Sequence, residues 1–158
     1  MSERLTTSGR PLPPPDADLG YLFRLAHQRF RAMLDSGLAD LGLSAQDYGI
    51  LSLFGTRPEL SISELARISQ VTRQTMHTSV LSLEAAGLVE RSARNQRVVL
   101  VRPTNRGRTC LKTATRRVRA VEQAALAGLS REEERTVRAW LASLAAMTAS
   151  PEKAAAER

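Results

Sequence analysis

The spacing of apolar residues predicts long helices at both ends of the chain. From residue 16 the apolar positions recur at intervals of three and four, which predicts an amphipathic helix over residues 16–41. The same pattern predicts helices over residues 104–127 and 130–147. Ser130 and Glu133 have the spacing of a capping box, in which each side chain bonds a free backbone N–H of the first turn. The fold is therefore expected to begin and end with helices.

Two shorter helices are predicted in the middle of the chain. Ser44 is a good N-cap for a second helix, which has to stop before Pro58 because the residue preceding a proline disfavours helical backbone. Ser61 and Glu64 form another capping-box pattern and predict a third helix over residues 62–69. A tight turn is expected to follow it.

A fourth helix and a hairpin come next. Thr72 is expected to cap the helix and Gly87 to end it, because glycine adopts the left-handed conformation common at helix C-termini. Residues 88–91 and 97–101 are apolar or β-branched runs, and the polar residues 92–96 between them predict a small antiparallel hairpin. The sequence thus predicts a mainly α fold with a small β-hairpin.

The order helix, turn, helix, hairpin over residues 61–103 is the geometry of a winged helix-turn-helix, with the hairpin as the wing. Helical spacing places three residues of the fourth helix on a core-facing side: Met76, Val80 and Leu83. The opposite side is polar and suits the DNA major groove, where Arg bonds guanine and Gln bonds adenine. We therefore expect Arg73 and Gln74 to contact bases.

The other parts of this unit are expected to hold the DNA backbone. Ser61, Ser63 and the amides at the start of the third helix are candidates for phosphate contacts. Arg94 and Arg97 in the hairpin loop are candidates for a minor groove or a phosphate. The complete set of candidate DNA-contacting residues is Ser61, Ser63, Arg73, Gln74, Thr75, His77, Thr78, Arg94 and Arg97.

Composition and charge support a polyanionic partner. The chain has 158 residues, 42% of them apolar and 25% charged, which suits one globular domain or one domain with a dimerisation extension. Its formal net charge is +7. Ten basic residues and no Asp or Glu occur between residues 91 and 119: Arg91, Arg94, Arg97, Arg102, Arg106, Arg108, Lys112, Arg116, Arg117 and Arg119. A basic segment of this kind favours binding to nucleic acid over a merely solvated helix face.

Several classes of protein are not expected. No run of about 18 apolar residues exists to cross a bilayer, and the N-terminus lacks an apolar signal segment, so we expect a cytoplasmic protein. Cys110 is the sole cysteine and the chain has two histidines, so neither a metal site nor another cofactor is expected. Without a glycine-rich phosphate loop or a nucleophile and base pair, we expect no enzymatic activity.

Five segments of the chain have a characteristic order and spacing. They are Leu41-Gly42-Leu43-Ser44, the run from Ser61 to Ala66, the run from Val71 to Thr75, the run from Leu83 to Arg91, and the run from Pro103 to Arg108. In this combination they resemble the MarR family of bacterial transcription regulators. The chain departs from the family in carrying Thr78 where Arg is frequent, and Asn95 where the wing usually has Asp. Its wing is also about two residues shorter.

The resemblance implies a homodimer that binds double-stranded DNA, as a repressor of a palindromic operator. It implies dimerisation helices over residues 16–41 and 105–148, with the winged-helix part over 44–103 between them in one domain. Residues 1–15 are expected to form a disordered or extended arm and residues 149–158 a flexible tail. Residues expected near the dimer interface are Val121, Leu126, Val137, Trp140, Leu141 and Leu144.

Some interpretations stay open at this stage. A small lipophilic or phenolic effector is consistent with the resemblance, and a constitutive DNA binder or a winged-helix protein-interaction module are the alternatives. His27, Arg24 and Arg31 suit either a pocket for an anionic aromatic ligand or a solvated helix face, and the latter is favoured. His77 suits a DNA contact or an indifferent surface position equally. A buried structural thiol is favoured for Cys110 over a redox sensor.

Overall fold

The first helix begins where an acidic side chain caps it. The computed structural model describes residues 14, 17–93 and 98–147, and in it helix α1 covers Leu19–Leu38. The Tyr21 N–H donates to the Asp18 carboxylate at 3.0 Å, so the helix begins three residues later than the predicted start at residue 16. A short 3₁₀-helix over Ala39–Leu41 completes this element. The predicted arm, apart from Pro14, and the predicted tail over residues 149–158 lie outside the described residues.

Local capping explains helices α2 (Ala45–Leu53) and α3 (Ile62–Ile68). Ser44 caps α2 and Ser61 caps α3, and each makes both hydrogen bonds of a capping box with the residue three positions on. The two predicted N-caps are thereby confirmed. The α2 box uses Asp47, whose role the spacing had not suggested.

Two left-handed residues end α3 and α4 (Arg73–Ala85). Gly87 has a φ of 70°, as expected for the residue after α4, and its N–H donates to the Glu84 carbonyl at 2.8 Å. Gln70 holds the equivalent position after α3 with a φ of 53°, the one positive φ among the described non-glycine residues. The turn between α3 and α4 therefore follows from the backbone geometry at Gln70.

The predicted antiparallel hairpin is confirmed, and among the described residues a third, unpredicted strand joins it. Strand β1 (Leu60–Ser61) pairs with β3 (Val99–Pro103), which also pairs with β2 (Val89–Ala93), in the order β1-β3-β2. Both pairings are antiparallel. A strand of two residues is too short to show a periodicity, and its partner in β3 is 41 positions away at Leu60↔Val101, so the sequence pattern did not predict it. Strand β2 also extends through Ser92 and Ala93, which had been placed in the loop.

The hydrophobic core joins these elements. Its members come from α1, α2, α3, α4, the sheet and a later helix; those that are fully buried include Leu38, Ile50, Leu51, Leu65, Met76, Val80, Val89 and Val101. Met76 and Val80 have no exposed surface and Leu83 has 2%. The three predicted core positions of α4 are thus confirmed, and the opposite side of that helix is fixed by their burial.

Helices α5 (Asn105–Ala125) and α6 (Arg131–Ala146) complete the described structure. Ser130 and Glu133 form the predicted capping box of α6. The chain divides into two compact units, the first ending at Val121 and the second beginning at Glu122. Among the described residues, no helix combines the length and the apolar character needed to span a membrane.

Candidate nucleic-acid interface

The outward side of α4 carries a polar strip, which we call the α4 strip: Arg73, Gln74, His77, Thr78 and Leu81. All five residues are exposed. Within the described part of the chain, the side chains of Arg73, Gln74 and His77 form no hydrogen bond. Their donors and acceptors are therefore available to a ligand outside the protein.

The start of α4 is held by two threonines. The Thr75 N–H donates to the Thr72 hydroxyl oxygen at 3.1 Å, and the two hydroxyl oxygens lie 2.8 Å apart. The first turn carries no acidic residue, so the positive end of the helix dipole faces no carboxylate of its own turn. Thr75 is exposed, but its hydroxyl already bonds Thr72, and the structure therefore assigns it a capping contact besides its predicted DNA contact.

Leu81 is a member of the strip that the sequence reasoning missed. It is 39% exposed and lies one turn beyond Thr78 and two turns beyond Gln74. The Thr78 hydroxyl donates to the Gln74 carbonyl at 3.2 Å, which leaves its methyl group and the Leu81 side chain as apolar surface between polar neighbours. Apolar groups of this size contact thymine methyls in major grooves. Its spacing of seven residues from Gln74 places Leu81 on the same face of the helix, but a leucine in a predicted helix is normally assigned to the core from sequence alone.

The α3 side of the interface is dominated by its capping box. The Ser61 hydroxyl donates to the Glu64 carboxylate at 2.7 Å, and the Ser61 N–H donates to the same oxygen at 2.9 Å. These bonds, first the backbone one, lower the pKa of Glu64 from its ordinary value of 4.5, and the charges of Arg57 and Arg67 act in the same direction. The Ser61 hydroxyl is therefore already bonded in the cap of α3, and the ionised carboxylate beside it repels a phosphate. Ser63 is exposed and stays a candidate for phosphate contact.

Two ion pairs fix the base of the wing. The Arg91 guanidinium contacts the Glu84 carboxylate at 2.7 Å and ties β2 to the last turns of α4. Glu90 and Arg102 face each other across β2 and β3 at 2.8 Å. Both carboxylates come from outside the basic segment, and the pairs supplement the buried Leu88 and Val89 that join β2 to the core. The predicted loop contacts Arg94 and Arg97 lie outside the described residues.

The basic segment carries less free charge than its sequence suggests. Arg91, Arg102 and Arg117 are paired with carboxylates, the last with Asp40 through two contacts of 2.7 Å. Within the described part of the chain, Arg106, Lys112, Arg116 and Arg119 have no carboxylate partner. The sequence between residues 91 and 119 therefore overstates the local positive charge, because the fold places carboxylates from other segments beside three of these arginines.

A cleft of about 440 Å³ opens between α1, α2 and the turn that leads into α4. Its lining is mostly apolar: Phe30, Leu34, Ala45, Gly49, Ile50, Leu53, Ile68 and Val71, with His27, Arg31, Gln46 and Ser69. His27 and Arg31 line this cleft and are both exposed, so the structure is compatible with either interpretation of these residues. Arg24 instead lies 5.5 Å from the centre of the Tyr21 ring. Cys110 is half-buried and packs against the core, whereas a buried thiol was expected, and its structural role stays a prediction.

The rim of the cleft is polar, and its side chains contact one another and the backbone of α2. The Arg31 guanidinium lies 3.9 Å from the Asp35 carboxylate, a long contact between two largely exposed side chains. Asp35 also accepts a hydrogen bond of 2.6 Å from the Ala45 N–H at the start of α2. Arg31 is therefore a weakly held cation next to an apolar cavity. Among the described residues no three His, Cys, Asp or Glu side chains are grouped to hold a metal ion.

Comparisons with known proteins agree with this arrangement. A model of the MarR family matches residues 41–97. The chain is 36% identical over 131 residues to the HTH-type transcriptional repressor Rv2887 of Mycobacterium tuberculosis, covering 82% of this chain and 94% of that protein. A crystal structure of the MarR family protein Rv2887 in complex with DNA has a TM-score of 0.69 and covers 82% of this chain and 98% of its own. The same protein has been crystallised with salicylic acid, with a TM-score of 0.65. A probable transcriptional regulator from Pseudomonas aeruginosa is 30% identical, with a TM-score of 0.76, and covers 83% of this chain and 99% of its own.

Proposed function

Because the chain belongs to the MarR family, we propose that it is a transcriptional repressor that binds a palindromic operator as a homodimer. The observation that carries this proposal is the α4 strip, a set of exposed and mainly polar side chains on a helix whose opposite face buries Met76, Val80 and Leu83. As a member of a family of transcription regulators, the chain is not an enzyme.

We assign base recognition to the first two turns of α4. Arg73 and Gln74 have the bidentate hydrogen-bonding groups that distinguish guanine and adenine in the major groove. His77, Thr78 and Leu81 extend the contact along the groove. Ser63 and the α4 N-terminus hold phosphates, and the loop residues Arg94 and Arg97 reach a minor groove or a further phosphate.

A second copy of the chain accounts for apolar surface that a single copy leaves exposed. In the second unit Trp140, Leu141 and Leu144 are each at least 37% exposed, and Val137 is half-buried. In the first unit Leu19 and Met33 of α1 are exposed as well. The four α6 residues are spaced i, i+3, i+4 and i+7 and so share one face of the helix, and monomers rarely expose a contiguous apolar patch. A two-fold dimer covers these residues and presents two copies of the α4 strip, about 34 to 36 Å apart if both enter successive major grooves.

The cleft suits an aromatic carboxylate effector. Its walls are apolar, and Arg31 and His27 at the rim offer a cation and a hydrogen-bonding ring. The solved complex of Rv2887 with salicylic acid supports this class of ligand. Binding next to Ile68, Ser69 and Val71 places the effector against the turn that positions α4. The proposed outcome is release of the operator.

The test compares specific and non-specific binding. Duplexes are selected from a random library with the purified protein, and fluorescence anisotropy measures Kd for a selected duplex and a scrambled duplex at two salt concentrations. We expect a preference of at least about 10³-fold for the selected duplex at physiological salt. Equal affinities, with selection yielding no enriched sequence, would contradict the proposal and favour a protein-interaction role for the winged helix.

A further inference from the structure

One side chain joins the cleft to the recognition helix. Gln46 lines the cleft on α2, and its amide Nε2 donates to the Ser79 hydroxyl oxygen on α4 at 2.9 Å. Ser79 in turn donates to the Thr75 carbonyl at 3.2 Å. Both Gln46 and Ser79 are half-buried. A continuous path of hydrogen bonds therefore runs from the cleft wall to the first turn of α4.

This path is distinct from the apolar packing of α4. Among the described residues no other hydrogen bond joins α2 to α4. Ser79 lies on the flank of α4, beside the buried side of Met76 and Val80 and away from the α4 strip. A change in the Gln46 contact can therefore alter the angle or the mobility of α4 while Met76 and Val80 stay packed in the core.

We infer that Gln46 is a positioning residue that holds α4 for DNA binding and transmits the presence of an effector to it. The inference rests on the proposed effector role of the cleft. An amide N–H bonds a charged carboxylate more strongly than a neutral hydroxyl. The Gln46 Nε2 carries two N–H groups and one of them bonds Ser79, so an aromatic carboxylate in the cleft that turns the amide toward itself breaks the bond to Ser79. Loss of that bond frees α4 from α2, and the affinity for the operator falls.

The test uses two variants that cut the same bond from either side. Ser79→Ala removes the acceptor on α4 and leaves the cleft lining intact. Gln46→Met removes the donor and keeps a side chain of similar length in the cleft. Ser82→Ala is the matched control, because it makes the same substitution one turn later on α4 at an exposed position.

The measured quantity is the ratio of the operator Kd with saturating salicylate to the Kd without it. Coupling between two sites in proteins is typically about 5- to 150-fold, and we expect a ratio in that range for the wild type and for Ser82→Ala. For Ser79→Ala and Gln46→Met we expect a ratio close to one and a weaker Kd without ligand. The double variant Gln46→Met, Ser79→Ala should have the same operator Kd without ligand as each single variant, because all three proteins lack the same hydrogen bond. Calorimetry should show that Ser79→Ala still binds salicylate in the absence of DNA.

Three results would overturn the inference. The first is a Ser79→Ala variant whose ratio of operator Kd with and without salicylate equals that of the wild type. The second is a double variant whose fold-loss of operator affinity is the product of the two single fold-losses. The third is a wild-type protein that binds salicylate with no change in its operator Kd. Failure of salicylate to bind the wild type would instead remove the proposed effector site. In that case the double-variant comparison without ligand still decides whether Gln46 and Ser79 together position α4.

Discussion

At the scale of single residues, hydrogen bonding separates the side chains of α4 into two groups. Thr75, Thr78 and Ser79 bond to partners within the protein, whereas Arg73 and Gln74 have no such bond among the described residues. Side chains without an internal partner lose no bond when they turn to a base edge. The leading candidates for base recognition are therefore the two that keep their full bonding capacity.

Substituting these two residues should relax the sequence preference without unfolding the protein. Arg73→Ala and Gln74→Ala are each expected to weaken operator binding by about 1–3 kcal/mol and to remove discrimination at one base position of each half-site. Binding to mutated operators measures both effects. Arg116→Ala on α5 is the control, since it removes an exposed charge away from the strip and should leave discrimination unchanged. Unaltered discrimination in both α4 variants would contradict the assigned roles.

The left-handed residues after α3 and α4 give a paired prediction about stability. Gln70 adopts a φ of 53°, which costs a residue with a Cβ about 1 kcal/mol or more relative to glycine. Gln70→Gly should therefore raise the free energy of unfolding, by less than about 1 kcal/mol after the entropy of the unfolded glycine is included. Gly87→Ala should lower it by about 1 kcal/mol, because alanine is strained at a φ of 70°. Urea unfolding measures both, and changes of the same sign would contradict the account.

The acid range of stability should depend on the capping boxes of α3 and α6. Bonds from Ser61 and Ser130 lower the folded-state pKa of Glu64 and Glu133 below 4.5. Carboxylates with a lowered pKa stabilise the fold above their unfolded pKa, and the contribution disappears as the pH falls through the folded value. Thermal unfolding of the Glu64→Gln, Glu133→Gln double variant should therefore lose less Tm on acidification than the wild type. An identical loss in both proteins would argue against the boxes as the cause.

At the scale of secondary-structure elements, the sequence predicted those features that depend on residues close together in the chain. The caps at Ser44, Ser61 and Ser130 act within three residues, so their patterns placed α2, α3 and α6 closely. Strand β1 and the Arg91 pair with Glu84 depend on residues that only the fold brings together. The cleft was likewise beyond a linear pattern, because its lining comes from separate helices and a turn.

Two glycines in helices test how elements pack. Gly107 of α5 lies against the backbone of Leu88, and a Cβ there would overlap the carbonyl oxygen and lie 2.9 Å from the carbonyl carbon. Gly107→Ala should therefore destabilise the protein by about 1–3 kcal/mol or more, since neither backbone can yield easily. Gly49 of α2 has no atom within 4 Å of an added Cβ, and Gly49→Ala should stabilise by about 0.5–1 kcal/mol. Thermal unfolding compares them, and a well-tolerated Gly107→Ala would contradict the close approach.

At the scale of the whole molecule, the account depends on two copies acting on one duplex. The family membership gives the winged helix its role, while the exposed Trp140, Leu141 and Leu144 indicate a surface for association. A dimer also explains how one short strip on α4 achieves specificity. Each copy contacts few base pairs, and the two-fold arrangement doubles the number of base pairs contacted.

The symmetry of the selected DNA tests this central claim most directly. Duplexes selected from a random library by the wild-type protein should contain two inverted half-sites whose centres are about 10 base pairs apart, or a multiple of one helical turn. Gln74→Ala should relax the same position in both halves. Selection of a single unpaired half-site, or of half-sites whose spacing varies freely, would contradict a two-fold dimer with paired α4 strips.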